Sequence, residues 1–425
     1  MVSFSPQYTG GLRPLFWPVI VASSVLARPF VKFRVGDMRA CEICGASHLE
    51  QLHRQHFLFP GLPQAVHYDV VACRNCGFAY ASDIPDQSAL DQFYQNVEHH
   101  LHTDLPPGLA RIHGDFFHFV QQHADLASDA RILDIGSGMG HFLAHFKQAG
   151  FQRLLGMEPS PAAAKLAHEI YGVEIRSATV DAFVTEERFQ LISLCGVLEH
   201  IADLRNSLAK IAALLADDGY LFIAVPDAEA FGKTPPAEPF LEFALEHINF
   251  FSAASLDNLL AANGFEKVTV ISQHNDFYDN HYLLAMYRKT SPAAKRFTVD
   301  AVAAASLLSY IELSRQVLRP VEALAEQLEA SAEPVLIWGA GALTSRLLCD
   351  TRLGKANICG IIDRNRNLQG KSLLGVTITG PDELAQHQGA TVFIASTTYA
   401  AEIRDTLTQQ HHWRGRILSL ATGAR

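Results

Sequence analysis

The sequence predicts an α/β protein. Its centre is a doubly wound, mostly parallel sheet, with a small cysteine-rich module before it and a second Rossmann-like α/β unit after it. Three observations carry that prediction. From residue 131 onward, apolar runs of strand length alternate with amphipathic helical stretches, the pattern of parallel strands joined by crossover helices. Two glycine turns, "LDIGSGMG" at 133–140 and "WGAGALTSRLL" at 338–348, each end a strand and open a helix. Two Cys-x-x-Cys pairs, Cys41/Cys44 and Cys73/Cys76, lie in a stretch with little helical period.

The elements follow in chain order. Residues 15–27, "LFWPVIVASSVLA", follow Arg13 like a short signal-type apolar run, but are too short and too broken by Pro18 to span a membrane. Met38 stands three residues before Cys41, so 1–37 reads as an upstream extension that need not be native. Residues 38–88 read as a metal-stapled module. Four thiolates from two knuckles suit a closed tetrahedral Zn²⁺ site; a redox pair or a disulfide scaffold is the competing reading. With no open ligand position, this zinc is expected to be structural. The gap from Cys44 to Cys73 exceeds that of a common zinc ribbon, so a hairpin or loop must fill it. Helical spacing appears over 89–127 (Leu90, Phe93, Tyr94; Phe116, Phe119, Val120), around a break at Pro106-Pro107-Gly108.

In the core, "RILDIG", "RLLGMEP", "FQLISLCGV" and "GYLFIAVP" read as buried strands. Between them lie the helices "HFLAHFKQAG" and "SPAAAKLAHEIYG", the second with Ser160 as N-cap and Pro161 at its first position. A last helix and two strands are expected over about 252–288. An Ala/Leu-rich helical connector spans 291–330, and strands "PVLIW", "ICGII", "TVFIAST" and "RILSLA" build the unit over 331–425. The lead-in helix and the core together make up 89–290.

The totals narrow the function. A chain of 425 residues, 48% hydrophobic and 18% charged, can bury several cores. A net charge of −10 and the lack of any Lys/Arg cluster argue against nucleic acid. Seven cysteines, four of them in the paired knuckles, fit a reducing, cytoplasmic setting with no membrane partner. The oligomeric state is left open.

The first turn carries the most chemistry. Asp134 ends the strand, Gly136, Ser137, Gly138 and Gly140 make the turn, and Glu158 ends the next strand. Such a carboxylate is placed to accept hydrogen bonds from a ribose diol. A dinucleotide domain is the competing reading. Two details favour S-adenosylmethionine (SAM): the acid on the first strand, and a D-x-G-x-G-x-G order instead of G-x-G-x-x-G. With "CGVLEHI" after the fourth strand, residues 131–225 resemble a class I SAM-dependent methyltransferase core. That resemblance implies cofactor contacts from Asp134, Gly136, Ser137, Gly138 and Gly140. It also puts Glu158 on the ribose, Val180 or Asp181 by the adenine, and Cys195-Gly196 along the cofactor.

A wider resemblance covers nearly all of 38–425. "CEICG", "CRNCGFAY", "EHINFFS" and "GKSLLGVTI" make the chain similar to the NDP-sugar C-methyltransferases. The resemblance implies a class I core, an N-terminal zinc-binding module and a C-terminal Rossmann-like domain. It also implies a small polar acceptor: a nucleotide-linked deoxysugar methylated beside its ketone. A base would remove the α-proton and the enolate would attack the sulfonium methyl in line, without a metal. His247 is implied as base or relay, with Glu246 assisting and His200 as a further candidate at the cofactor end. A neighbouring carboxylate is expected to raise the imidazole's pKa. Adjacent residues on a strand face opposite ways, so both reach one pocket only from a loop or bulge. Relatives often carry a Tyr where Ala244 stands, and Tyr80 is the residue expected to compensate. In the second turn, Gly339 and Gly341 are followed by Thr344 at the third glycine position, with Asp363 after the next strand. This unit reads as a substrate-side lid or phosphate cradle, or as a bare cleft wall; the Trp-Asn expected near 391–400 is missing. An O- or N-methyltransferase on another small metabolite, and a non-catalytic SAM-binding scaffold, are the alternative functions.

Overall fold

The computed structural model describes residues 39–61, 64–84, 107–290 and 297–420. The extension 1–37 and the helical spacing around Leu90 and Tyr94 lie outside the described residues. Strands β1 (Leu49–Phe57), β2 (Val66–Cys73) and β3 (Ala79–Ser82) form an antiparallel meander. The long gap between the cysteine pairs is thus the β1–β2 hairpin. Each knuckle is a tight turn: Gly45 N–H donates to Cys41 O and Gly77 N–H to Cys73 O, both at 2.8 Å.

Helix α1 (Pro107–His123) starts inside the expected break. Pro107 opens the helix because its missing N–H costs nothing in the first turn. The core continues as β4 (Arg131–Ile135), α2 (His141–Gln148), β5 (Arg153–Met157), α3 (Pro161–Tyr171), β6 (Glu174–Arg176), β7 (Phe189–Cys195), α4 (Leu204–Leu214) and β8 (Leu215–Pro226). Ser160 caps α3 as expected, its side chain accepting from Ala163 N–H. Strand β6 escaped the sequence because its Glu-Ile-Arg run sits at the sheet edge with one apolar residue.

After β8 a loop leads to β9 (Asn249–Phe250), α5 (Ala253–Ala262), β10 (Phe265–Asn275) and β11 (Asn280–Lys289). The seven-stranded sheet runs β10-β11-β8-β7-β4-β5-β6. Strands β4 to β8 are mutually parallel and β11 enters antiparallel between β8 and β10. Leu133, Leu191, Ile192 and Leu194 are sealed on both faces, which explains their unbroken apolar runs. Strand order reverses between β4 and β7, so their carboxyl ends open the cleft in which such sheets bind ligands.

β9 does not join that sheet. It pairs with β3 (Ala79↔Phe250, Tyr80↔Asn249) and completes the cysteine module's sheet. The stretch read as lying just past the core is therefore held by a strand about 170 residues earlier.

Helix α6 (Ala303–Ser331) starts where Asp300 caps Val302 and Ala303 N–H, each at 3.0 Å. It clamps the loop before β9: Ser306 and Ser314 hydroxyls accept from Gly232 and Phe240 N–H, and the Tyr310 hydroxyl from Glu242 N–H. The last unit contains β12 (Val335–Trp338), α7 (Ala342–Asp350), β13 (Ile358–Ile362), β14 (Ser372–Leu373), β15 (Val376–Thr379), β16 (Thr391–Ile394), α8 (Ala400–Asp405) and β17 (Ile417–Ser419). Its sheet is ordered β14-β15-β13-β12-β16-β17 and is parallel apart from the β14–β15 hairpin within "GKSLLGVTI". No helix among the described residues is long and apolar enough to cross a membrane.

Candidate active site and cofactor cleft

The first glycine turn hangs from the carboxyl end of β4. Gly136 takes φ +69°, and a Cβ there would lie 2.4 Å from Val197 Cγ2; only glycine permits this turn against the β7 loop. Gly138 (φ +50°) faces open space, with nothing within 4 Å of an added Cβ. Its N–H donates to Glu158 Oε2 at 3.1 Å, while Ser160 N–H donates to Oε1 at 3.1 Å. Burial raises the Glu158 pKa, and those two N–H groups oppose the shift. The carboxylate is aimed by the backbone and keeps lone pairs for a ligand hydroxyl. An empty space over Gly138 beside an oriented carboxylate fits the ribose and methionine ends of SAM.

The other expected cofactor residues divide into two groups. Cys195 and Gly196 close β7 at the cleft, Gly196 with φ +68°. Asp134 sits beneath the turn, 2% exposed, accepting from Ser193 Oγ at 2.7 Å, its pKa pushed up to about 7 by burial. Ser137 Oγ is buried with no partner among the described residues. Val180 packs against the core, and the Asp181 carboxylate is already held by Lys210 and Asn206 on the half-exposed rim.

The Glu-His pair lies in a turn that ends at β9, so the loop condition is met. Tyr80 is fully buried with its hydroxyl donating to Arg39 O at 2.9 Å, on the cysteine side of the sheet. The phenol that does reach the pair belongs to Tyr68: its hydroxyl donates to the carbonyl of Ala244 at 2.9 Å. Glu246 and His247 face the short turn Leu198–His200 that follows β7. The His200 and His247 rings meet edge to face with centroids 5.1 Å apart, and His200 Nδ1 lies 2.8 Å from Glu246 O. Glu246 O can only accept, so this contact places a proton on His200 Nδ1.

The electrostatics correct the expected tuning. Glu246 does not lift its neighbour: burial pushes His247 down to about 4 and His200 to about 3. Burial likewise raises Glu246, and takes Glu199 to about 8 and Glu242 to about 7. Desolvation outweighs pairing, because a fully buried group loses more hydration than one neighbour restores. Burial thus holds both imidazoles in the neutral form that a proton acceptor needs at pH 7.

Sequence reading passed over Glu199, Glu242, Tyr68 and Arg346. Glu199 Oε2 is buried with no partner among the described residues, and Oε1 lies 3.8 Å from where a Gly196 Cβ would stand, so this acid borders the Cys195-Gly196 end of the cleft. Arg346, 2% exposed on α7, pairs with Glu238 at 3.3 Å and its charge lowers Glu242 and Glu246. Its place inside the apolar run "TSRLL" was the available signal. A small cleft opens here between the β1–β2 hairpin (Phe57–Pro60), Ala244-Leu245 and the start of α7.

The four cysteine sulfurs converge. Cys41–Cys76 and Cys44–Cys73 lie 3.5 Å apart, and all four Sγ atoms fall within 4.8 Å of one another. Thiolates around tetrahedral zinc are spaced about 3.8 Å, so the donor set fits that ion.

Residues 98–270 match the family described as methyltransferase domain, and 331–417 match the family described as C2185-like, N-terminal. With the reversed strand β11 and the glycine turn at the switch point, the class is defined: this is a class I SAM-dependent methyltransferase. The similarity extends in length to the C-methyltransferase NovU of Streptomyces niveus, 26% identical over 362 residues, 79% of this chain and 82% of NovU. A ubiquinone biosynthesis O-methyltransferase of Rhodopseudomonas palustris is 34% identical over 102 residues, and the match spans 23% of this chain and 40% of that protein. Among solved structures, a Burkholderia thailandensis 1,6-didemethyltoxoflavin-N1-methyltransferase is 25% identical, covering 43% of this chain and 78% of its own with a TM-score of 0.34.

Proposed function

We propose that the enzyme C-methylates a nucleotide-linked keto-deoxysugar beside its ketone, with His247 as the base. One observation carries this reading. The loop ending at β9 brings His247 and Glu246 against His200, on the turn next to Cys195-Gly196. A proton acceptor thus stands beside the cofactor cleft. SAM supplies the activated methyl, and the chain supplies alignment and proton removal. Gly136, Gly138, Glu158 and Gly196 would hold SAM; the neutral imidazole of His247 would take the α-proton; Glu246 would hold or relay it. The long match to a C-methyltransferase supports carbon as the methylated atom. The O-methyltransferase match is short, 102 residues or 23% of this chain.

The cysteine site is read as structural Zn²⁺, testable by metal analysis. The organisation proposed is a zinc module over 38–88, the methyltransferase domain over 89–290, a helical connector over 291–330 and the last domain over 331–425, in a cytoplasmic enzyme.

His247→Ala should slow solvent-deuterium uptake at the α-carbon of a nucleotide-linked keto-deoxysugar, measured without SAM, by about 10²- to 10⁴-fold. SAM affinity by calorimetry should stay unchanged. Unaltered uptake in the variant, or no uptake in the wild type, would end the C-methylation reading.

A further inference from the structure

Asn249 is a buried carboxamide, 2% exposed, at the start of β9. Its Nδ2 donates to the carbonyls of Ile201 (2.8 Å), Leu198 (3.2 Å) and, in a longer shared contact, Glu199 (3.4 Å). Its Oδ1 accepts from Arg39 Nη2 at 2.7 Å. The backbone adds to the tie: Ile248 N–H donates to Glu199 O, and Ala81 N–H donates to Ile248 O. Arg39 lies over the Tyr80 ring, 5.2 Å from its centroid, and its carbonyl accepts the Tyr80 hydroxyl. One side chain therefore joins three distant segments: residue 39, the turn 198–201 that carries Glu199 and His200, and the strand that follows His247.

The chemistry of this junction asks for a carboxamide. Leu198 O already accepts from Ile201 N–H and Glu199 O from Ile248 N–H, while Ile201 O, just past the 3₁₀ turn, takes the shortest of the Asn249 bonds. The Arg39 guanidinium needs an acceptor. Asn presents both on one planar group. An aspartate would keep the Arg39 contact but turn a lone pair on the carbonyls; a leucine would leave both sides unpaired, which is expensive inside a core.

We propose that Asn249 is a positioning residue: it sets the His200 turn in register with the Glu246-His247 loop and anchors both to the cysteine module's sheet. This rests on the proposed role of His247 as base. A displacement of about 1 Å in such a pair can cost a factor near 10².

The test compares wild type with Asn249→Asp, and with Arg39→Met as a milder variant that cuts only the tie to the module. Expected for Asn249→Asp is a fall in kcat of about 10- to 100-fold. Zinc content and the affinity for S-adenosylhomocysteine should be unchanged, and KM for a nucleotide-linked keto-deoxysugar little moved. ¹⁵N-histidine NMR should show the single Nδ1–H tautomer of His200 giving way to a tautomer mixture, with the same trend, weaker, in Arg39→Met. Unchanged histidine spectra in both variants would overturn the proposal. So would a common loss of melting temperature, S-adenosylhomocysteine affinity and kcat, which marks a merely structural residue. Should His247→Ala retain activity, the base assignment fails, while the histidine spectra still decide the positioning claim.

Discussion

Two glycine turns stand at corresponding places in two Rossmann-like sheets, and the fold uses them differently. Each follows a buried parallel strand, β4 or β12, and each has an acid at the end of the neighbouring strand. After β4, Glu158 is bound by Gly138 and Ser160 N–H, and Gly138 faces open space. After β12, Asp363 is bound by Ala340 and Asn365 N–H, each at 2.7 Å. There a Cβ on Gly339 would lie 2.8 Å from Ala395 O, and Thr344 Oγ1 donates to Gly339 O. The helix that opens next is spent on contacts within the chain: Ser345 Oγ accepts from Leu58 N–H and Arg346 pairs with Glu238. Both turns crowd their first glycine, Gly136 and Gly339, and leave the second, Gly138 and Gly341, open; the difference lies in the helix that follows, which in the last unit is held by contacts within the chain.

The largest effect should come from mirrored substitutions in the two turns. Gly138→Val forces a β-branched residue into the left-handed region over the open cleft, and calorimetry should show SAM affinity falling about 100-fold or more. Gly341→Ala, in an extended conformation with nothing within 4 Å of the added Cβ, should leave SAM affinity unchanged. Equal losses from both would mean that the second turn also holds the cofactor.

Arg346→Met should act on stability instead. It leaves Glu238 Oε2 without its guanidinium, although Oε1 keeps the Thr397 hydroxyl, and removes the cation that lowers Glu242 and Glu246. A loss of about 2–4 kcal/mol in urea unfolding is expected, with SAM affinity retained. A loss confined to SAM binding would reverse the roles of the two sheets.

The ligand-free protein should also show a pH dependence. Glu199 titrates near 8 folded but near 4.3 unfolded. Between those values the folded state holds a proton the unfolded chain releases, so stability falls as pH rises. His200 and His247 work the other way: they stay neutral in the fold at pH values where the unfolded chain binds protons, so stability falls as pH drops below about 6.5. Glu199→Gln should flatten the decline between pH 5 and 8 while leaving the acid limb in place, as read from urea midpoints across that range. An unchanged slope would show that the Glu199 carboxyl is not buried as described.

Much of the core was legible because fully buried parallel strands write continuous apolar runs, as in "RILDI" and "FQLISLC", and because turns that require glycine leave it in the sequence. Helix α3 was legible to the residue, since Ser160 and Pro161 act through local geometry. The site was legible only in pieces. Glu246, His247 and His200 stood out as chemistry-bearing residues, but the fall of both imidazoles instead of a rise came from burial by distant segments. Tyr80 followed from the motif, yet Tyr68, on the neighbouring strand, brings its hydroxyl to Ala244.

Short-range physics wrote into the chain its strands and helices, the glycine turn after β4, and four cysteines spaced for one ion. Only the tertiary structure decided which segments share a wall. The two-residue strand β9 leaves its own domain to pair with β3, Asn249 bridges three segments, and an arginine from the last domain is buried beside the acids. Such pairings lack a local signature. Hydrogen bonds and desolvation depend on distance in space, and a contact across 210 residues, like that of Arg39 with Asn249, leaves no periodicity to read.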